Sequence, residues 1–196
     1  MKRSYRIALS AVAVAAMCTF IFLMSAQPAD ESGALSMGVV SRIIAFVVPG
    51  YEQMNAASQL YWQDTLEHVV RKCAHFSEYA ALGALAANLA WQIMVPQQAN
   101  IDAHVASSTQ QHHAARRECG RRHQYGHQRH IIARIALLSW AASTLYAATD
   151  EFHQMFVPGR ACMATDVLID STGAVVGVAL ALGIACLLKQ RAKRMR

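Results

Sequence analysis

The sequence predicts an all-α membrane protein with four transmembrane helices, and three observations lead to this prediction. Hydrophobic residues make up 55% of the chain and charged residues only 15%, whereas an ordinary soluble domain carries roughly 25% charged residues. Four segments each hold about 20 mostly apolar residues, the length that is needed to cross a bilayer. Most basic residues flank these segments, as is typical of membrane helices.

The first predicted helix covers residues 7–24, with the sequence IALSAVAVAAMCTFIFLM, and contains no charged side chain. A cleaved signal peptide is the alternative interpretation, because a basic start precedes an apolar run. The run is long for a signal peptide, however, and MSAQP is a poor cleavage motif. We therefore expect this segment to remain in the protein as a transmembrane helix.

The other three predicted transmembrane helices cover residues 74–95, 131–149 and 167–188. The first of these is expected to end at Pro96, because proline interrupts the hydrogen bonding of a helix interior. The last contains Gly173 and Gly177, and this GxxxG spacing allows two helix backbones to approach closely. The spacing is weak evidence alone, since an unremarkable pair of glycines fits it equally well.

Residues 34–50, with the sequence ALSMGVVSRIIAFVVPG, form a shorter apolar segment that is broken by Arg42 and Pro49. Because it is too short for a regular span, we expect either an interfacial helix or a re-entrant segment. A fifth span is disfavoured, since it would place the basic residues of 96–130 and those after the last helix on opposite sides of the membrane.

The distribution of charge predicts the orientation of the four helices. Of 18 basic residues, 13 lie before the first helix, within residues 96–130 or after the last helix. Residues 25–70 instead hold five acidic residues and one basic residue, Arg42. By the positive-inside rule, both termini and residues 96–130 are cytoplasmic. Basic residues placed in this way also argue against a nucleic-acid-binding protein.

Residues 97–130 are predicted to form a disordered, His- and Arg-rich cytoplasmic loop within a single transmembrane domain that covers residues 1–196. Histidine-rich tracts can bind metal ions, but no pattern of carboxylates or thiols organises this one. Its polar composition fits a disordered loop better. No metal ligands are therefore assigned.

Polar residues gather at the predicted outer ends of the four helices, and their spacing places several of them on shared faces. Lys72, His75 and Glu78 are three residues apart, and Asp166 and Asp170 are one helical turn apart. Charged groups at this depth are costly unless they pair with each other or face water, so they indicate a functional site. The alternative is that they form ion pairs that only hold the bundle together.

The candidate residues divide by chemistry into two groups. His153 lies close in sequence to Asp150 and Glu151, so a carboxylate could orient it as a general base. The candidates for catalysis are His153, Glu151, Asp150, His75 and Glu78. Arginine and lysine suit an anionic group such as phosphate. The candidates for binding are Lys72, Arg160, Gln154, Asp166, Asp170, Ser25 and Gln27. A divalent metal held by histidine and glutamate is disfavoured, because no motif such as HExxH is present.

Three stretches carry a resemblance to a known family. They are SAQPAD after the first helix, RKCAHFSEYAALG at the start of the second, and TDEFHQMFVPGRACMATDVLIDSTGAVVG across the last two. Together they resemble the VanZ-like family of small bacterial membrane proteins. The matching residues are Ser25, Gln27, Lys72, His75, Phe76, Glu78, Tyr79, Asp150, Glu151, His153, Gln154, Pro158, Gly159, Arg160, Asp166, Asp170 and Gly173. Asp170 stands where family members often carry asparagine.

The resemblance implies a place in the bacterial cytoplasmic membrane and a role in the cell envelope. The family takes its name from a protein linked to low-level resistance to the glycopeptide antibiotic teicoplanin. No cofactor is implied, so the cofactor stays unknown, and whether the protein is an enzyme stays open.

Our leading hypothesis is an outward-facing site that binds or modifies an anionic envelope component. The expected partners are membrane lipids, either a lipid-linked cell-wall precursor or a phospholipid headgroup. The alternative is a non-enzymatic membrane scaffold or binding protein that changes access to envelope precursors. Ion transport is disfavoured, because the inner halves of 74–95 and 167–188 hold no ionisable side chain except the thiol of Cys186.

Overall fold

The computed structural model describes residues 3–109, 116–160 and 162–195, and within these ranges the chain forms helices and no strand. The all-α prediction is therefore confirmed. The five helices are α1 (Arg3–Ser25), α2 (Ala29–Val47), α3 (Ala56–Thr109), α4 (Arg116–Gln154) and α5 (Ala164–Arg194), with a short 3₁₀ turn at Tyr51–Gln53.

Three helical segments are long and apolar enough to cross a membrane: Arg3–Ser25, Gln128–Gln154 and Ala164–Ala192. They contain the predicted helices over 7–24, 131–149 and 167–188, which supports an all-α membrane protein. The predicted helix over 74–95 also forms, as part of α3, but it is not among these three. Polar side chains such as Asn88 and Gln92 lower its mean hydropathy. Because α3 packs against several other helices, it need not be apolar on every face.

The helix that contains the second predicted transmembrane segment is longer than that segment. We expected the segment to begin after Lys72 and to end at Pro96, but Pro96 does not end the helix, because α3 is continuous over Ala56–Thr109. Asn55 starts the helix by accepting a hydrogen bond from the backbone N–H of Ser58 at 2.9 Å, which is ordinary N-terminal capping. An interior proline removes one hydrogen bond and crowds the carbonyl four residues earlier, at a cost of about 3 kcal/mol, but it does not forbid the helix, which continues through Pro96.

The boundaries of the predicted loop at 97–130 also differ from the structure. The backbone is helical up to Thr109 and again from Arg116, and residues 110–115, with His112 and His113, lie outside the described residues. Alanine, glutamine and arginine are frequent here and are good helix formers, which explains helix at both ends. Disorder in this segment stays a prediction.

The apolar segment at 34–50 forms most of α2, with its shorter apolar part at Met37–Val47. Val40 and Ile44 are buried against the rest of the fold, whereas Phe46 is 91% exposed. The helix ends before Pro49, and Gly50 turns the chain with a φ of 73°. Whether α2 lies in the membrane interface or re-enters the membrane stays a prediction.

The four long helices alternate in direction. At one end of the bundle the Arg3 guanidinium donates to the carbonyl oxygens of Gln92 and Ile93 at 3.4 and 3.2 Å, and Lys189 lies 6.0 Å from the centre of the Trp91 ring. The other end, which we call the polar end, joins the end of α1 and the end of α4 to the start of α5 and the middle of α3. Which end faces the cytoplasm stays a prediction.

Two apolar clusters hold the bundle together. Nearer the polar end, Ile21, Tyr79, Leu82 and Ala147 are buried together. The second cluster joins α3, α4 and α5 through Ala87, Ile135, Val178 and Leu182.

The pairing of α3 with α5 is the most extensive in the fold, and it depends on glycine. A Cβ atom on Gly173 or Gly177 would collide with the backbone carbonyl of Phe76 or Ala80, respectively. Gly83 faces the same interface, where a Cβ would lie 2.6 Å from the carbonyl oxygen of Ala174. The GxxxG spacing therefore marks a real close approach of two helix backbones.

Candidate functional site

The polar end brings together most of the residues that the sequence singled out. α3 and α5 run in the same direction, so residues that lie one turn apart on α3 meet residues one turn apart on α5. Lys72 forms an ion pair with Asp166. One turn further along, His75 Nδ1 lies 3.8 Å from Asp170 Oδ2. The close contact of the glycines with α3 fixes this register.

A second set of contacts joins α1 to α4. The Ser25 hydroxyl donates to Asp150 Oδ1 at 2.5 Å, and Gln154 Nε2 donates to Asp150 Oδ2 at 3.2 Å. Ser25, Asp150 and Gln154 are all buried. Both carboxylate oxygens of Asp150 therefore have a donor, as a buried carboxylate requires.

Arg160 connects this group to the loop between α4 and α5. Its guanidinium donates to the carbonyl oxygens of Gln27 at 2.9 Å and Met24 at 3.3 Å, and to Gln154 Oε1 at 3.4 Å. Pro158 and Gly159, with a φ of 74° at the glycine, form the turn that presents it. Burial, and then the nearby charge of Arg71, lowers the pKa of Arg160, but arginine remains protonated in proteins.

Three N–H groups of Arg160 are used in these contacts. A guanidinium carries five N–H donors, so two remain without an acceptor among the described residues, one on each terminal nitrogen. Its partners are carbonyl oxygens, and no carboxylate of the described residues forms an ion pair with it. The charge of Arg160 therefore stays available to a ligand.

Glu151 has a positioning role. It is 1% exposed, and its Oε2 accepts a hydrogen bond from the backbone N–H of Met163 at 3.0 Å, immediately before α5. The second oxygen, Oε1, is buried and has no partner among the described residues. Glu151 thus ties the start of α5 to the end of α4.

The structure does not support a carboxylate beside His153. The ring of His153 packs against Phe22 with 4.5 Å between ring centres, and Nδ1 is buried without a hydrogen-bond partner in the described part of the chain. The histidine that lies beside a carboxylate is instead His75. His153 lies three residues after Asp150 in α4, but its ring packs against Phe22 of α1.

Two further predicted residues have less defined contacts. Glu78 is half-buried on α3, and no side-chain hydrogen bond to it is found in the described ranges. Gln27 contributes its backbone carbonyl to Arg160, while its side-chain oxygen is buried without a partner among the described residues.

A cavity of about 180 Å³ opens between α3, α5 and the loop that carries Arg160. Its lining residues are His68, Arg71, Lys72, His75, Gln154, Gly159, Arg160, Met163, Asp166, Ile169 and Asp170. Six predicted site residues are in this set: Lys72, His75, Gln154, Arg160, Asp166 and Asp170. Asp150, Glu151, His153, Glu78, Ser25 and Gln27 are not.

The sequence reasoning missed His68 and Arg71 as site residues. With Lys72 and His75 they follow the spacing i, i+3, i+4, i+7, which defines one face of a helix. This signal was present in the sequence. Both residues lie before the predicted transmembrane segment over 74–95, so the sequence analysis did not assign them to the site.

Comparison with known protein families decides where the chain belongs. The VanZ/LLP1 family model matches residues 10–188, nearly the whole chain. The chain belongs to the VanZ-like family. Neither the search of curated proteins nor the search of solved structures gave a match.

In this VanZ-like protein the cavity combines groups that bind anions with a histidine beside a carboxylate. Such a set can hold a phosphate or carboxylate group and can exchange a proton with it. In the part of the chain that the structure describes, no three residues among His, Cys, Asp and Glu are placed to hold a metal ion together.

The bond between Ser25 and Asp150 gives a first testable prediction. Ser25→Ala removes a 2.5 Å hydrogen bond and leaves a buried carboxylate oxygen without its donor, so we expect a loss of about 1–3 kcal/mol in the free energy of unfolding. Unfolding of the purified VanZ-like protein in mixed detergent micelles measures this loss.

Thr19→Ala is the matched control on the same helix. The Thr19 hydroxyl bonds only to the carbonyl of Ala15 in its own helix, at an exposed position, and a change of at most about 0.5 kcal/mol is expected. Equal effects of the two substitutions would contradict a special role for the bond between Ser25 and Asp150.

Proposed function

We propose that the cavity binds the anionic, phosphate-bearing headgroup of a cell-envelope lipid. The observation that carries the proposal is the concentration of basic groups around one small cavity. Arg71, Lys72 and Arg160 line it together with His68 and His75. Basic groups that face a shared, partly buried cavity favour an anionic ligand.

The balance of charge supports the same ligand. The carboxylates in the lining are Asp166 and Asp170, and Lys72 is paired with the first of these. Arg71 has no ion-pair partner in the described ranges, and Arg160 bonds to neutral oxygens only. Two arginine charges therefore remain for the ligand, and arginine binds phosphate through paired N–H donors.

The position of the cavity in the bundle favours a lipid over a soluble anion. It lies where α4 ends and α5 begins, at the end of two segments that are long and apolar enough to cross a membrane. Around it Phe152, Phe156 and Leu168 are 60%, 71% and 66% exposed. Exposed aromatic and aliphatic side chains at this level fit the boundary between the hydrocarbon and the headgroups. The distribution of basic residues in the sequence favours an orientation in which this end lies outside the cytoplasm.

A substitution at Arg71 tests the proposal. Arg71→Gln removes a positive charge that has no structural partner among the described residues, and we expect the affinity for anionic lipid to fall about tenfold or more. Native mass spectrometry of the protein in mild detergent, titrated with phosphatidylglycerol and with phosphatidylcholine, measures the two affinities.

Arg42→Gln is the control, because Arg42 is exposed on α2 and lies outside the cavity. It also removes one positive charge, so it corrects for the general effect of charge on lipid binding. If Arg71→Gln and Arg42→Gln bind anionic lipid equally well, the cavity is not the binding site.

A second candidate function is chemical modification of the bound headgroup. It is favoured by His75 and Asp170, which lie 3.8 Å apart in the cavity lining and form a potential acid–base pair. The two functions differ in outcome: an enzyme should change the envelope lipids and lose this activity with His75→Gln, whereas a binding protein should cause no turnover with or without the substitution. Lipid profiles of membranes with and without the protein distinguish them.

Membership of the VanZ-like family also motivates a proposal about antibiotic resistance. We propose that occupancy of the cavity changes how envelope precursors or glycopeptides reach their targets, so that expression of the protein lowers susceptibility to teicoplanin. The effect should be lost with Arg71→Gln and retained with Arg42→Gln in cells with equal amounts of protein. Equal susceptibility with and without the protein would separate lipid binding from resistance.

A further inference from the structure

Asp170 is the most deeply buried ionisable group of the cavity. It is 0% exposed, and neither of its carboxylate oxygens has a hydrogen-bond donor among the described residues. His75 Nδ1 lies 3.8 Å from Asp170 Oδ2, which is too long for a hydrogen bond. His75 Nδ1 is itself without a hydrogen-bond partner in the described part of the chain.

Burial of such a pair costs free energy, because a buried polar group without a hydrogen-bond partner keeps its full desolvation penalty. Native proteins leave few groups in this state, and a functional role is one of the explanations for those few. His75 and Asp170, which we call the floor pair, line the same cavity as Arg71 and Arg160. A ligand held by the two arginines could therefore reach the floor pair with a neighbouring group.

The hydrogen-bonding groups of the floor pair indicate which ligand group would lie beside them. A hydroxyl carries one donor and two acceptor sites, so it can donate its proton to Asp170 and accept a hydrogen bond from a protonated Nδ1 of His75. Two atoms 3.8 Å apart can both lie within hydrogen-bond distance of one oxygen. An ammonium group can also donate to Asp170, but three cations, Arg71, Lys72 and Arg160, surround the cavity and oppose it.

We infer that the ligand of this cavity carries a hydroxyl group beside its phosphate, as in a polyol phosphate headgroup, and that this hydroxyl bonds to the floor pair. The inference rests on the proposed function and makes it more specific. The arginines hold the phosphate, and the floor pair distinguishes a hydroxyl-bearing headgroup from one that is merely anionic.

The experiment compares two headgroups that differ only in their free hydroxyl groups. Phosphatidylglycerol and phosphatidylpropanol are both phosphodiesters with one negative charge and a three-carbon headgroup, but only the first has free hydroxyl groups. Native mass spectrometry of the full chain in mild detergent measures both affinities. Because a hydrogen bond to a charged group is strong, we expect phosphatidylglycerol to bind about tenfold or more tightly.

Asp170→Leu tests whether Asp170 causes the preference for phosphatidylglycerol over phosphatidylpropanol. It removes the acceptor and keeps a similar size, so the ratio of the two affinities should fall close to one while phosphatidylpropanol still binds. If Asp170→Leu does not bind phosphatidylpropanol, Asp170→Asn takes its place. That substitution keeps an oxygen acceptor without the charge, and the ratio should fall severalfold.

The other possible outcomes would contradict the role of the hydroxyl, the role of the floor pair or the binding of the phosphate. A ratio near one in the unaltered protein overturns the inference and leaves phosphate binding intact. If the ratio of the two affinities is unchanged in the Asp170 variants, the floor pair does not cause the preference for phosphatidylglycerol. Tighter binding of phosphatidylethanolamine would replace the hydroxyl by an ammonium. Failure to bind either anionic lipid would overturn the proposed function itself.

Discussion

Gly177→Ala is expected to destabilise the protein by about 3 kcal/mol or more, at the upper end of the effects of overpacking. The added Cβ would lie far inside the van der Waals contact distance from the Ala80 carbonyl oxygen, with further backbone atoms of Ala80 within 3 Å. The obstacle is helix backbone, which cannot rotate away as a side chain can. The two helices must therefore move apart along their whole contact.

The same separation should weaken the site. Lys72 with Asp166 and His75 with Asp170 bridge the same two helices, and their distances depend on the close approach at the glycines. We therefore expect Gly177→Ala to reduce lipid binding together with stability. Unfolding in mixed detergent micelles and native mass spectrometry measure the two effects on the same preparation.

Gly183→Ala on the same helix is the matched control. No atom lies within 4 Å of a Cβ added there, and alanine is the better helix former by about 1 kcal/mol. A small gain or no change is expected. Comparable losses for the two substitutions would mean that the packing of α3 on α5 is not what makes Gly177 necessary.

Arg160→Ala is the second substitution with a large expected effect. It removes three hydrogen bonds, to the carbonyl oxygens of Gln27 and Met24 and to Gln154. These bonds join the end of α1, the end of α4 and the following loop. Hydrogen bonds to charged groups contribute about 1.5–3 kcal/mol each, but contacts of one side chain are not additive. We expect a loss of roughly 3 kcal/mol in the free energy of unfolding.

Arg160→Lys separates charge from geometry. Lysine keeps the positive charge but cannot reproduce the planar fork that reaches three acceptors, so it should recover less than half of the lost stability. Arg42→Ala, at an exposed position on α2, should change stability by no more than about 0.5 kcal/mol. Full stability of Arg160→Lys would show that charge alone matters at this position.

Binding should respond to Arg160 more strongly than stability alone explains. The guanidinium keeps two N–H donors for a ligand after its structural bonds are made, and both are lost in the lysine and alanine variants. At conditions where each variant remains folded, we expect weaker binding of anionic lipid by both.

Helical spacing predicted which residues share a face, and the structure agrees for Lys72 with His75 and for Asp166 with Asp170. Spacing could not predict which face meets which. The partner of His75 is Asp170, more than ninety positions later in the chain, because α3 and α5 run in the same direction. His153, by contrast, was expected beside a carboxylate and packs against Phe22.

Local sequence was a poor guide to where helices end. The sequence predicts a helix end at Pro96 and a transmembrane segment that begins after Lys72, but α3 extends well beyond both. Except at proline, helix propensities differ by less than about 1 kcal/mol per residue, whereas α3 also packs against α1, α2 and α5. His68 and Arg71, which continue the face of Lys72 into the cavity, lie before the predicted segment.

The sequence by itself determined the all-α class, the segments apolar enough for a bilayer, and the gathering of polar residues at one end of the bundle. These properties follow from the residue composition of each segment and from the helical spacing of its residues, and neither depends on the other segments. Only the tertiary structure decided which residues pair, which line the cavity, and which, like Glu151, hold the helices in place. Those properties depend on distances between segments far apart in the chain, and the glycine contact of α3 with α5 sets several of them at once.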